Sequence, residues 1–165
     1  MVASAAVRIR AYRPTDYTAV RRLWKAAGLE IGRSDTRAEI ERTRRRDPGL
    51  FLVAADGRRV VGVVLGRFDG RRGWIHHLAV DPVRRREGVG ARLVRELERR
   101  LQRAGCPKVN LHVTPANAGV VPFYERLGYR TNEILFLERW LPRPGAGRTQ
   151  ARAGYRSTSA RPEGE

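Results

Sequence analysis

Two spacings of apolar residues alternate along the chain, and each predicts its own element. Val7 to Tyr12 alternates with a period of two and reads as a short strand. Thr15 or Asp16 then caps a helix that carries Val20, Leu23, Trp24 and Ala27 on one face and stops at Gly28. A second helix is expected over Thr36 to Arg46, with Ile40 as its only large apolar residue. Leu50 to Ala55, Arg59 to Phe68 and Gly73 to Val80 read as three strands, punctuated by Asp56-Gly57 and Asp69-Gly70, which predicts an antiparallel meander. The strongest helix follows from about Gly88 to Ala104, with Val89, Leu93, Leu97 and Leu101 four apart. Its apolar stripe requires a sheet to cover. A strand from Lys108 to Thr114, a helix from about Ala118 to Leu127 and an apolar strand through Ile134 to Leu137 complete the pattern.

The fold class predicted is α/β: a mixed, mostly antiparallel central sheet with helices on both faces. The fourth strand carries an irregularity. Ile75 and Leu78 are three apart, which on a regular strand puts them on opposite faces, so a bulge near His76-His77 is expected.

Hydrophobic residues make up 41% of the chain and charged residues 31%, the balance of a soluble globular domain rather than a disordered chain. No apolar run approaches the roughly 20 residues of a membrane span, and the start lacks the basic-then-apolar order of a secretory signal. A cytoplasmic location with no membrane partner is expected. From Pro142 onward large apolar residues almost vanish, so the domain is placed at residues 1–141 and an Arg-, Gly- and Pro-rich disordered tail at 142–165.

The net charge of +17 would attract polyanions. All but Lys25 and Lys108 of the 34 basic residues are arginine, and they are scattered along the whole chain, a pattern that codon preference explains as well as ligand selection does. No RNA- or DNA-binding motif accompanies them, so nucleic acid is expected only as a weak electrostatic partner. Cys106 is the single cysteine, which excludes an internal disulfide and a cysteine-based metal site, and no metal is expected.

Candidate chemistry concentrates where the fourth strand meets the strong helix. Arg85-x-x-Gly88-x-Gly90 lies between them, with Arg84 to Arg86 supplying cations. Glycines let backbone approach a ligand, and the unpaired N–H groups and dipole of a helix start favour a phosphate. Glu87 suits the first turn of a helix but opposes such an anion, so the arginines would have to compensate.

Three segments in this order resemble the GNAT superfamily of acyl-CoA-dependent N-acyltransferases. They are Leu78-Ala79-Val80-Asp81-Pro82, the Arg85-x-x-Gly88-x-Gly90 loop, and the run from Asn117 through Phe123-Tyr124-Glu125-Arg126-Leu127-Gly128-Tyr129. The resemblance spans roughly residues 7 to 140 and is similar in flavour to small single-domain bacterial acetyltransferases of the YpeA type, in Phe51-Leu52-Val53-Ala54, in Phe68 to Gly73, and around Gly105-Cys106-Pro107-Lys108.

It implies acetyl-CoA as the acyl donor, bound at its pyrophosphate by Arg85, Arg86, Glu87, Gly88, Val89, Gly90 and Ala91. Its pantetheine arm would lie along Leu78, Ala79 and Val80 and be held by Asn117. It implies Tyr124 as the group that protonates the departing thiolate. Asn117 and Tyr124, seven apart, would point to one side of a shared helix. For the base that deprotonates an attacking amine, His112 and His77 are the candidates. His112 shares a strand face with Asn110 and Thr114, opposite Val109, Leu111 and Val113, whereas His77 sits at the expected bulge. The activity implied is acetyl transfer to a primary amine by direct attack on the thioester. The alternatives are a non-catalytic CoA-binding regulatory module and a nucleic-acid binder. The amine is not specified, although Glu30, Asp35 and Glu133 are candidates for holding it, and a homodimer is compatible with the resemblance.

Overall fold

The structure, a computed structural model, describes residues 7–141. The expected tail at 142–165 lies outside the described residues. Five strands form one sheet in the order β1 (Arg8–Ala11), β2 (Phe51–Asp56), β3 (Arg59–Phe68), β4 (Gly73–Val80) and β5 (Val109–Leu111). Neighbours from β1 to β4 are antiparallel, and β4 pairs with β5 in parallel. Helices α1 (Tyr17–Ala26), α2 (Arg37–Arg46), α3 (Val89–Arg103) and α4 (Val121–Arg126) accompany it.

The continuous apolar runs of β2 and β3 are what two covered faces demand, because both sides of each strand must be buried. Leu52, Ala54, Val61, Val64 and Ile75 pack on one face against Val89, Leu93, Val94, Leu97 and Leu101 of α3. Phe51, Val53, Val63, Leu65 and Ala79 pack on the other against Val20, Leu23 and Trp24 of α1 and Ile40 of α2. The four-residue stripe on α3 thus covers the sheet as the pattern required. Contact is closest at Gly66, where a Cβ would fall 2.8 Å from Leu97 Cδ2 and 3.0 Å from the Leu50 carbonyl oxygen.

The bulge lies in the fourth strand. Leu65 pairs with His77 and Gly66 with Ile75, which leaves His76 as the extra residue of β4. It returns Ile75 and Leu78 to the same face, both against the α3 cluster.

Three expectations are corrected. The helix expected from Ala118 is a 3-10 stretch over Pro115–Val120 followed by α4 from Val121, with non-helical dihedrals at Asn117. Pro122 has no N–H to give to a preceding turn and sits at the start of α4, so the helix cannot run through from Ala118. β5 ends at Leu111 rather than Thr114. The apolar run Ile134 to Leu137 forms no strand: residues 130–141 carry no regular secondary structure and these four side chains are exposed. Apolar residues specify a strand only where a neighbour takes the main-chain hydrogen bonds, and no strand is paired to them among the described residues. The chain divides into a compact unit through Tyr129 and a second unit beginning at Arg130. Among the described residues no helix is long and apolar enough to cross a membrane.

Candidate active site

The parallel pairing of β4 with β5 stops early. It joins Gly73 to Val109, Trp74 to Asn110 and Ile75 to Leu111, and the bulge at His76 follows immediately. From there to Val80, β4 pairs only with β3 among the described residues.

Which main-chain groups this exposes follows from antiparallel alternation. The Asp81 amide donates to the Val61 carbonyl at 2.9 Å, so the hydrogen-bonded pairs are Val61 with Asp81 and Val63 with Ala79. The intervening Leu78 and Val80 turn their N–H and C=O groups away from β3, toward the gap beyond Leu111. A strand-like ligand arm would add there as a further strand. Ala79, included with them in the expected cofactor set, has its main chain turned to β3 instead. Its methyl group is buried in the cluster under α1 and α2.

At the end of β4 the Asp81 side chain accepts from the Val83 amide at 3.2 Å and holds the turn into α3. Gly88 caps α3 with a φ of +76° and nothing within 4 Å of where a Cβ would be. No side chain caps this helix, and its first internal bond runs from the Arg92 amide to the Gly88 carbonyl at 3.0 Å. The amides of Val89, Gly90 and Ala91 are therefore left as outward-facing donors. Arg86 adopts a φ of 66°, the left-handed region that a residue with a Cβ enters at a cost.

Charge at this turn is balanced in the way the sequence required. Glu87 does not stand as an uncompensated anion: Arg84 donates to it at 2.6 Å and to Asp56 at 2.5 Å. Arg84 is thereby committed to carboxylates, and Arg85 and Arg86 remain exposed without an ion-pair partner among the described residues. Uncapped amides, a left-handed glycine and two uncommitted arginines fit a pyrophosphate.

Tyr124 reaches the same region because α4 packs on the junction of β4 and α3. A Cβ on Gly90 would lie 3.4 Å from Phe123 Cζ and 3.5 Å from Val80 Cγ2, ordinary contact distances that show Phe123 and Val80 meeting at the start of α3. Tyr124 is 7% exposed, stacks edge-on against Phe123 and Tyr129, and has its phenol pushed up to about 12 by burial. It is a protonated donor at neutral pH. Asn117 lies exposed in the preceding 3-10 stretch, so the shared-helix alignment with Tyr124 does not hold.

His112 follows the last residue of β5, is exposed, and has its ring tilted against Trp74 at 5.3 Å between centroids. His77 is differently placed. Its Nε2 lies 2.9 Å from Asp35 Oδ1 and its Nδ1 2.9 Å from the His76 carbonyl oxygen, and its ring meets Trp24 edge-on. Both nitrogens face acceptors. Burial alone would raise Asp35, but hydrogen bonds from His77 and the Gly32 amide, with the charges of His77 and Arg21, outweigh it and hold the carboxyl below its ordinary value. The tie fastens the segment between α1 and α2 to the bulge of β4. Asp35 is 42 residues from His77, and no local spacing signals the pair.

Comparison with known proteins agrees with this geometry. The model of the acetyltransferase (GNAT) family matches residues 17–129. The acetyltransferase ECA0875 of Pectobacterium atrosepticum is 38% identical over 135 residues, covering 82% of this chain and 96% of that protein. Among solved structures, Ard1 from Thermoplasma volcanium is 28% identical with a TM-score of 0.70, over 78% of this chain and 85% of that one. The PaiA N-acetyltransferase from Thermoplasma acidophilum, solved in complex with coenzyme A, shares the fold at a TM-score of 0.70 and 16% identity, over 78% and 92% of the two chains. With its sheet parting after a bulge into an uncapped helix, and with a family match across almost all of its compact unit, the chain belongs to the GNAT family of acetyltransferases.

Proposed function

We propose that the protein transfers the acetyl group of acetyl-CoA to a primary amine by direct attack on the thioester. One observation carries the reading: the outward-turned main chain of Leu78 and Val80 is followed, through the turn at Pro82–Arg84, by the uncapped amides of Val89, Gly90 and Ala91. An extended pantetheine arm lies along the first, and the pyrophosphate binds the second, where the backbone from Arg85 to Gly90 and the arginines Arg85 and Arg86 supply positive ends. Asn117 borders the arm.

The amine nitrogen forms a bond to the acetyl carbon, the oxygen of which is polarised by an amide of β4 beside the bulge. The carbon–sulfur bond breaks, and the thiolate takes the proton of the Tyr124 hydroxyl, a group that burial keeps protonated. The proton lost by the amine goes to His112, directly or through water. His77, with its nitrogens facing Asp35 and the His76 carbonyl, positions the bulge instead.

Release of free thiol from acetyl-CoA in the presence of an amine panel tests the reading. Tyr124→Phe should retain acetyl-CoA affinity and lose turnover by about 10²-fold, the low end for a positioned acid. Tight CoA binding with no thiol release from any amine would identify a regulatory module. Wild-type turnover in Tyr124→Phe would return this residue to a packing role.

A further inference from the structure

Among the described residues, the exposed large apolar side chains are Val83 and one run near the end, Ile134 to Leu137 with Trp140 and Leu141. Leu135 is 91% exposed and Leu137 89%. On an extended chain, Leu135 and Leu137 lie on one side, flanked on that side by Glu133 and Arg139, while Ile134 lies on the other. Apolar residues at the centre of both sides are the mark of a strand that requires a partner, not of a solvated loop. Among the described residues no backbone hydrogen bond joins 133–135 or 137–139 to another element. The segment therefore has the side chains of a strand and main-chain groups open to pairing.

Charge selects the occupant. The chain carries +17, so two copies repel over most of their surface. Within 130–141, however, Arg130 and Arg139 balance Glu133 and Glu138, and a second copy can approach there without opposing net charge. The order of these charges is also self-complementary. When two copies run antiparallel about a two-fold axis at residue 136, Glu133 of each faces the partner's Arg139, and Leu135 of each faces the partner's Leu137. Four leucines then lie together between two ion pairs on one side of the ribbon. Neighbouring registers fail. An axis between residues 135 and 136 sets Glu133 against Glu138, an axis between 136 and 137 sets Leu135 against Glu138, and a parallel pairing in register sets every charge against itself. We propose that residues 133–139 of two copies pair antiparallel about residue 136 and join the protein into a two-fold dimer. Ile134, Leu135, Leu137, Trp140 and Leu141 offer roughly 100 Å2 of apolar surface each, about 500–600 Å2 a copy, which reaches the small end of specific interfaces at about 1,200 Å2 in total. A two-stranded ribbon is marginal by itself, so the association is reversible, with a Kd on the order of micromolar.

Sedimentation velocity of the full chain over about 1–300 μM should show a monomer giving way to a dimer. Glu133→Arg and Arg139→Glu each set like charges opposite one another at both ends of the ribbon and should weaken the dimer by about tenfold or more. Mixed in equal amounts, these two variants regain both ion pairs, so they should form a heterodimer of wild-type strength, as should the double variant E133R/R139E with itself. Glu138→Arg tests the register. In the proposed pairing Glu138 faces Ile134 and its reversal should change little, whereas an axis between residues 135 and 136 would make the same variant associate more strongly. All three positions are exposed, so the thermal melt of dilute protein should match the wild type and shows that each variant is folded. A wild type that stays monomeric overturns the proposal, whether protection of 133–139 from amide exchange then shows the segment added to its own sheet or cosedimentation with phosphatidylcholine vesicles shows it taken up by lipid. A dimer indifferent to both charge reversals, a mixture that fails to restore association, or a stronger dimer in Glu138→Arg overturns it equally.

Discussion

Replacing Arg86 by glycine should make the protein more stable, although it removes a whole side chain. Arg86 has a φ of 66°, is exposed, and has no ion-pair partner among the described residues, so the folded state loses no ion pair with it. A residue with a Cβ pays about 1–2 kcal/mol for the left-handed conformation, and glycine does not. Against this stands the greater freedom glycine gives the unfolded chain, about 0.4–1 kcal/mol. The difference favours Arg86→Gly by about 0.5–1 kcal/mol, a rise in Tm of about 1–4 °C for a domain of this size. Arg86→Ala is the control, because it removes the charge and keeps the strain. Reversible guanidinium unfolding of all three proteins, with unchanged m-values, isolates the conformational contribution as the difference between the glycine and alanine variants. If the glycine variant is the less stable of those two, the argument from backbone strain is refuted. The same pair tests the anion site, since a fall in acetyl-CoA affinity common to both belongs to the lost guanidinium.

Gly66→Ala should destabilise by about 1–3 kcal/mol, because its methyl meets Leu97 and the Leu50 carbonyl in a packed interior; chemical denaturation measures it, and an unchanged midpoint would mean α3 stands farther from the sheet. Asp35 is held below its unfolded value, so its contribution to stability is complete above about pH 4 and is lost as pH falls through the depressed folded value. Unfolding free energies between pH 5 and 2.5 should therefore fall less steeply for Asp35→Asn than for wild type, and parallel curves would show the His77 tie to be energetically silent. Removal of residues 142–165 should leave the melt and acetyl transfer nearly unchanged and weaken salt-sensitive binding to nucleic acid, since five arginines leave with the tail; a domain that melts on truncation would move the boundary into the tail.

What the chain discloses before folding is uneven, for physical reasons. The stripe Val89, Leu93, Leu97 and Leu101 and the continuous runs of β2 and β3 announce themselves because burial repeats with the period of the element. The bulge was legible as a broken period between Ile75 and Leu78, and the helix-start cradle as a fixed spacing of glycines. Ile134 to Leu137 misled because apolar content alone does not supply a neighbouring strand, and Asn117 misled because Pro122 forbids the helix that its distance from Tyr124 suggested. Which of the three neighbouring arginines seats on Glu87 was hidden behind net charge, which counts ions without placing them. His77 with Asp35, and Arg67 with Thr43, join residues far apart in sequence that only the closed sheet brings together.

The extra residue at His76 also divides the labour of one strand. Upstream of it, Gly73 to Ile75 are clamped between β3 and β5; downstream, the register of His77 to Val80 is fixed by β3 alone. Because the slack of one residue lies between the two halves, substitutions at Gly73, Trp74 or Ile75 can be absorbed before they reach the edge at Leu78 and Val80. A lineage carrying this bulge can thus vary the first half of the strand generation after generation while the rail along its second half stays in place.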